Sequence, residues 1–221
     1  MRLRVLTLNV QNDEGDPRRV GLINRELRRL DPDLVALQEV RYPGQLAELL
    51  HGTALAHATH QAQVLDPEPP EAQRYGGGAL ATRWPHTVVA VEEGRSDPDF
   101  HWWTLAVTVR DVLFVTPTTP WQPEAAAARA RQAEGIARHG ASPAVVAGDL
   151  NADPDDASVR CLVGSGYRDA WAEAGDGPGH TWPAHRRRID YVLARGLRVA
   201  RVELLGDHLS DHRGVVADLE A

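Results

Sequence analysis

The sequence predicts an α/β fold in one domain spanning residues 1–221. Three observations carry this expectation. Short apolar runs of strand length, at residues 3–8, 34–37 and 144–147, alternate with segments whose apolar residues recur three and four apart. A chain of 221 residues can bury one sizeable core. No internal repeat, low-complexity tract or heptad pattern divides it.

Taken in order, residues 3–8 read as a strand ending at Asn9. Asp16-Pro17 looks like a helix cap, followed by Val20, Ile23, Leu27 and Leu30 at helical spacing until Asp31-Pro32 stops them. Residues 34–37 form a second buried strand ending at Gln38-Glu39, and residues 43–50 a short helix. Residues 51–75 are poorly periodic and proline-rich, so they read as a strand fragment and an exposed loop. Gly76-Gly77-Gly78 lacks the strand-before, helix-after setting of a phosphate loop and reads as a turn or bulge entering a strand. Strands follow at 87–91, 102–109 and 112–116, with His101 at a strand edge. Residues 123–139 begin with proline, carry an alanine-rich body and end before Gly140, which predicts a helix able to approach a sheet closely. The run Ala144-Val145-Val146-Ala147 ends at Gly148-Asp149-Leu150-Asn151, and strand periodicity would set Asp149 and Asn151 on one side. Asp153, Asp155 and Asp156 resemble a helix start more than a metal cluster, with Val159, Leu162 and Val163 buried behind them. A short helix at 169–174 and strands at 189–193, 199–204 and 215–219 complete the chain.

Composition limits the partners. The net charge is −7 and the chain has no lysine, every basic residue being arginine or histidine. Tight binding of duplex nucleic acid draws on many cations along the phosphates, so a general DNA binder is disfavoured. Cys161 is the one cysteine, which excludes disulfides and cysteine metal sites. No apolar run is long enough to span a bilayer, and Arg2-Leu3-Arg4 leads straight into the first strand. A cytoplasmic monomer is the expectation.

Polar residues recur at the ends of apolar strands: Asn9, Glu39, Asp149 and Asn151. Such ends gather ligand sites in α/β proteins. Asp190 lies within the apolar frame Ile189, Tyr191, Val192, where a lone carboxylate is costly unless paired. His212, in Ser210-Asp211-His212, is a suitable partner, oriented as a histidine is by a carboxylate. Oxygen donors without cysteine suit magnesium or manganese rather than zinc.

These motifs resemble the DNase I-like endonuclease/exonuclease/phosphatase superfamily. The matching segments are Leu8-Asn9, Leu37-Gln38-Glu39-Val40, residues 78–85, Gly148-Asp149-Leu150-Asn151, Arg188-Ile189-Asp190-Tyr191-Val192 and Ser210-Asp211-His212, in family order. The resemblance implies a four-layer sandwich of two mixed sheets packed face to face with helices outside. It implies a magnesium or manganese ion at Glu39, with Asn9 and Asp211 completing or orienting that shell. It also implies that Asp149 positions or deprotonates the attacking water, that Asn151 helps hold water and phosphate, and that His212, oriented by Asp190, stabilises charge on the phosphoryl oxygens. The family's asparagine-threonine-histidine-leucine stretch is replaced by Thr116-Pro117-Thr118-Thr119, so Thr118 stands where a phosphate-donating histidine is expected. Arg188 is a candidate phosphate grip, and Trp182 or Trp121 a candidate stacking surface.

The function expected is a divalent-metal-dependent phosphoesterase acting on a phosphodiester or phosphomonoester. Its substrate would be a phosphorylated small molecule, a lipid head group or a nucleic acid. The alternatives are an endonuclease or exonuclease of the same superfamily, and a binding module weakened in catalysis by the change at Thr118.

Overall fold

The computed structural model describes residues 1–65, 67, 76–94 and 102–221. Of the segment 51–75, expected as a strand fragment and a loop, His57–His60 is the strand, and residues 66 and 68–75 lie outside the described residues, as does the edge position expected for His101. Among the described residues, twelve strands form two six-stranded sheets. The first contains β1 (Arg2–Asn9), β2 (Leu34–Val40), β3 (His57–His60), β4 (Gly77–Thr82), β11 (Arg198–Leu204) and β12 (Val215–Glu220), in the order β11-β12-β1-β2-β4-β3. The second contains β5 (Thr87–Glu93), β6 (Trp103–Val109), β7 (Val112–Thr118), β8 (Ala144–Asp149), β9 (Arg168–Asp169) and β10 (Asp190–Arg195), in the order β5-β6-β7-β8-β10-β9. Both are mixed: β1 and β2 run parallel, as do β7 and β8, and the other pairs are antiparallel.

Strand alternation explains the layering. On β1, Leu3 and Val5 face the other sheet while Leu6 and Leu8 face outward. On β8, Val145 and Ala147 point inward and Val146 outward. The inward sets, with Leu34, Ala36, Phe114 and Val192, make one core between the sheets. Outside the first sheet lie α1 (Arg19–Leu30) and α2 (Gly44–Leu50), packed through Ile23, Leu27, Leu30, Leu46 and Leu49. Outside the second lie α3 (Ala126–Arg138) and α4 (Ala157–Gly164), packed through Ala133, Ile136, Val159 and Leu162. The result is the four-layer DNase I-like sandwich. A short helix, α5 (Ala170–Ala174), touches β10 and β11 and adds Ala170 to the core between the sheets.

Helix starts differ in detail from the sequence expectation. Helix α1 begins one turn after Asp16, whose Oδ1 accepts from Arg18 N at 2.9 Å and whose carbonyl accepts from Arg19 N at 2.9 Å, while Arg18, the residue next to the helix, makes no side-chain cap bond. The cap of α4 is Asp156, whose carboxylate accepts from Ser158 N at 2.9 Å, while Asp153 pairs with Arg187 at 2.9 Å. These two aspartates therefore act as cap and ion-pair partner.

The same alternation that builds the core also builds the site. On each central strand the inward apolar row runs into a polar residue at one end of the sandwich: Thr7 and Asn9 on β1, Gln38 on β2, Thr116 and Thr118 on β7, and Asp149 on β8. Strand β10 runs antiparallel to β8, so its first residue, Asp190, lies opposite Asp149.

Candidate active site

A cleft of about 480 Å³ opens at this polar end. Asn9, Glu39, Asp149, Asn151, Asp211, His212, Thr118 and Trp182 all line it. Residues separated by up to 203 positions (9 to 212) thus share one cavity. Asp190 supports His212 from behind the lining: its Oδ2 accepts from His212 Nδ1 at 2.9 Å. Asp149 Oδ2 lies 3.9 Å from the same nitrogen. With Nδ1 committed to Asp190, Nε2 is the nitrogen left for the cleft.

A second group adjoins the first. Asn9 Nδ2 donates to Glu39 Oε1 at 2.9 Å and reaches Asp149 Oδ2 at 3.3 Å. The amide of Asn9 is itself fixed, its Oδ1 accepting from Gln11 N at 2.9 Å. Glu39 has φ +55°, a left-handed conformation that breaks the pairing of β2 and re-aims its carboxylate. The facing backbone must then come close. A Cβ at Gly76 would lie 2.7 Å from the Glu39 carbonyl carbon, so the first glycine of the triple is there for that approach.

Asn151 reaches the cleft by a different route from the one strand periodicity suggested. Strand β8 stops at Asp149, and Asn151 turns with φ +48°. Its N–H donates to Asp149 Oδ1 at 2.8 Å, and its Nδ2 donates to Thr119 O at 3.3 Å. A turn, rather than continued pleat, sets the two side chains together.

The electrostatics follow from burial. Desolvation raises the Asp149 carboxyl to about 7, and the neighbouring Asp190 charge adds to the shift. Burial also raises Glu39, against the Asn9 hydrogen bond that favours its ionised form. Burial alone would depress His212, but the Asp190 charge and hydrogen bond, with Asp149 and Asp211, outweigh it and hold the imidazole protonated up to about 10. The site carries more negative charge than His212 neutralises. Asp190 Oδ1 is buried without a partner. Ligand atoms of Asp149, Asp190 and His212 lie within 4.8 Å of one another, but a protonated His212 has no lone pair to give, so the donors open to a metal ion are carboxylate oxygens, with Glu39 and Asn9 offering further oxygen atoms beside them. This hard, acidic donor set fits a divalent cation of the magnesium type.

Thr118 lines the cleft with its Oγ1 buried and unpartnered, 3.0 Å from where a Cβ on Gly78 would stand. Trp182 stacks over His212 with ring centroids 5.9 Å apart and planes 20° from parallel. Arg188 is placed elsewhere. Its Nη1 donates to Asp169 Oδ2 at 2.7 Å and its guanidinium sits over the Tyr191 ring at 4.8 Å, outside the cleft lining. Having both its charge and its face committed to the fold, Arg188 is not carried forward as a phosphate grip.

Sequence reading missed the supports. Thr181 is wholly buried, and its Oγ1 accepts from Ile189 N at 2.9 Å and Asp190 N at 3.0 Å, fixing the start of β10. Thr119 donates to Asp149 O at 3.1 Å. A threonine in a loop carries no local signal of such a role. Gln38, beside Glu39, lines the cleft and accepts from Thr7 Oγ1 at 3.2 Å, and its polarity at an inward strand position was the available clue.

A four-layer sandwich with carboxylates, amides and one imidazole gathered at an open end defines the DNase I-like class. The chain belongs to the endonuclease/exonuclease/phosphatase family, which it matches over residues 6–212. Members of that family are metal-dependent phosphoester hydrolases. Among solved structures, D. rerio TDP2 complexed with single-strand DNA product has a TM-score of 0.76 at 17% identity, covering 100% of this chain and 99% of that one. The human Nocturnin catalytic domain with bound sulfate gives 0.75 at 19% identity, covering 99% and 94%. An endonuclease/exonuclease/phosphatase from Beutenbergia cavernae DSM 12333 gives 0.73 at 24% identity, covering 99% and 71%. At these identities the likeness is one of fold. No curated protein matches the sequence. No helix among the described residues is long and apolar enough to cross a membrane.

Proposed function

We propose that this protein is a divalent-metal-dependent phosphoesterase, hydrolysing a phosphodiester or phosphomonoester by in-line attack of water. The observation that carries this reading is the Asp149–Asp190–His212 arrangement beside Asn9 and Glu39 in one cleft. A carboxyl near 7 is matched to taking a proton from water at neutral pH, and Asp149 holds that position. Asn151, fixed by Thr119, orients the water and a phosphoryl oxygen. The His212 imidazolium donates from Nε2 to the negative charge that grows on the phosphoryl group, with Asp190 holding both its charge and its orientation. Glu39, oriented by Asn9 and joined by Asp211, would hold magnesium or manganese. Such an ion supplies Lewis-acid polarisation of the phosphoryl oxygen and a template for the attack.

The test is turnover of bis(4-nitrophenyl) phosphate, 4-nitrophenyl phosphate, single-stranded DNA and an abasic duplex, with magnesium or manganese and with chelator. Chelator-sensitive hydrolysis of at least one is expected. Failure to turn over any of the four with either ion sinks the reading.

Thr118 favours a second reading, a binding module with weakened catalysis, because its buried hydroxyl is the one predicted catalytic group without a protein partner. Thr118→His is expected to raise turnover by on the order of 10², the worth of one transition-state donor. Unchanged or slower turnover would show that the hydroxyl belongs to an adapted site and would remove the second reading.

A further inference from the structure

Trp121 stands on the rim of the cleft, 69% exposed, and the chemistry above makes no use of it. Its surroundings are not those of a loose surface loop. Arg129, on α3 and only 6% exposed, donates from Nη1 to Pro120 O at 3.1 Å and to Gln122 O at 2.9 Å, the carbonyls on either side of Trp121. Two residues earlier, Thr119 donates to the backbone of Asp149. The loop is fastened at 119, 120 and 122 while the indole between them is left in water. A ring that stacks on a side chain carried by a fastened backbone costs less ordering of the chain than one that stacks on a loose loop, which favours a binding surface here. Two residues of chain span at most about 7 Å, so the backbone of Trp121 lies within one small ligand's length of that of Thr119, which is bonded to Asp149.

The charge of the cleft narrows what it can take. Among the described residues lining it, the ionisable groups are Glu14, Glu39, Asp149, Asp211 and His212, with no arginine. A polynucleotide needs several cations along its backbone. This cleft has provision for one reacting phosphate. The cleft lining also carries the neutral amides Gln11, Asn12 and Gln122, and a cleft of about 480 Å³ suits a ligand of nucleotide size.

We infer that the substrate is a small phosphoester whose non-reacting part carries a planar aromatic ring, and that this ring stacks on Trp121. The inference rests on the phosphoesterase reading, but its test does not need turnover. In an Asp149→Asn background with magnesium, calorimetry would measure binding of adenosine 5′-monophosphate, phenyl phosphate and methyl phosphate. At least one ring-bearing ligand should bind on the order of 10-fold more tightly than methyl phosphate, the scale of one stacked ring. Trp121→Ala should abolish that preference and Trp121→Phe retain most of it. The stronger of the two ring ligands tells a nucleobase from a simple aryl group. Equal affinities, no binding of any ligand, or an equal loss on all three in Trp121→Ala would overturn the inference. So would a 12-residue DNA strand that binds more tightly than the mononucleotide with steep salt dependence. Ring-dependent binding without hydrolysis by the unaltered protein sinks only the hydrolase reading, and hydrolysis without ring preference sinks only this inference.

Discussion

Asp149→Asn is expected to lower turnover by on the order of 10⁴-fold, the scale seen when one acidic member of a catalytic set is neutralised. The same change should make the metal-free protein more stable. Asp149 is 6% exposed and its Oδ2 lies 3.9 Å from His212 Nδ1, with the Asp190 charge close by. Its carboxyl is pushed from 3.8 up to about 7, so between those values the unfolded chain releases the proton more readily than the folded one. Stability from this group therefore declines as pH rises from 3.8 to about 7 and stays reduced above. Asparagine removes the charge and keeps an oxygen for the Asn151 N–H. Melting in chelator should show Asp149→Asn and the unaltered protein close together at pH 4, and the variant higher by pH 8. A variant less stable at pH 8 would mean that the carboxylate is a net stabiliser, against the account of a site held at a cost to the fold.

Asp190→Ala is expected to be the most destabilising change in the site, by about 3–5 kcal/mol, because it leaves a buried imidazolium without its partner. His212 is 6% exposed, and burial by itself pushes its pKa down. Asp190→Asn separates fold from chemistry, since the amide still accepts a hydrogen bond but carries no charge. The imidazole, now held protonated up to about 10, should then lose its proton at lower pH. The linkage has the sign of a raised histidine. Stabilisation is complete below the ordinary 6.5 and is lost as pH climbs toward about 10 in the unaltered protein. In Asp190→Asn that loss moves to lower pH, together with the alkaline limb of the pH–rate profile. A limb that stays in place would show that some group other than His212 sets it.

These outcomes bear on how the weakened-site alternative should be weighed. The Asp190–His212 pair and the Asn9–Glu39–Asp149 chain are complete, and Thr181 and Thr119 hold them from behind. Two buried aspartates facing one buried imidazole are costly to keep, and such groups cluster at working sites. Thr118, where the resemblance sets a histidine, is therefore the position to change first.

Much of this was legible along the chain. The apolar runs of β1 and β8 stop at Asn9 and Asp149, and a period of two sets both on the inward side; Glu39, which the same period would turn outward on β2, reaches the cleft only through its positive φ. Asp190 inside an apolar frame required a partner, and the structure supplies His212. Other features depend on neighbours distant in sequence. Arg188 and Arg187 are adjacent arginines of one triplet, yet one is spent on Asp169 and the other on Asp153, neither of which is marked by spacing as a partner. Asn151 enters the cleft through a positive φ rather than a pleat, which a strand pattern cannot foresee. The clamp of Arg129 on the loop of Trp121 comes from another element altogether.

By itself, then, the sequence determined the order of the elements, the inward and outward faces of the central strands and the residue types delivered at their ends. Those follow from local periodicity and from the cost of burying an unpaired charge. Only the tertiary structure decided which carboxylates face each other, which arginines remain available, and that the backbone on either side of Trp121 is held by Arg129. Each of those depends on the register of β8 against β10 and on the packing of α3 behind the second sheet. Register and packing are settled by contacts between distant segments, and no short stretch of chain encodes them.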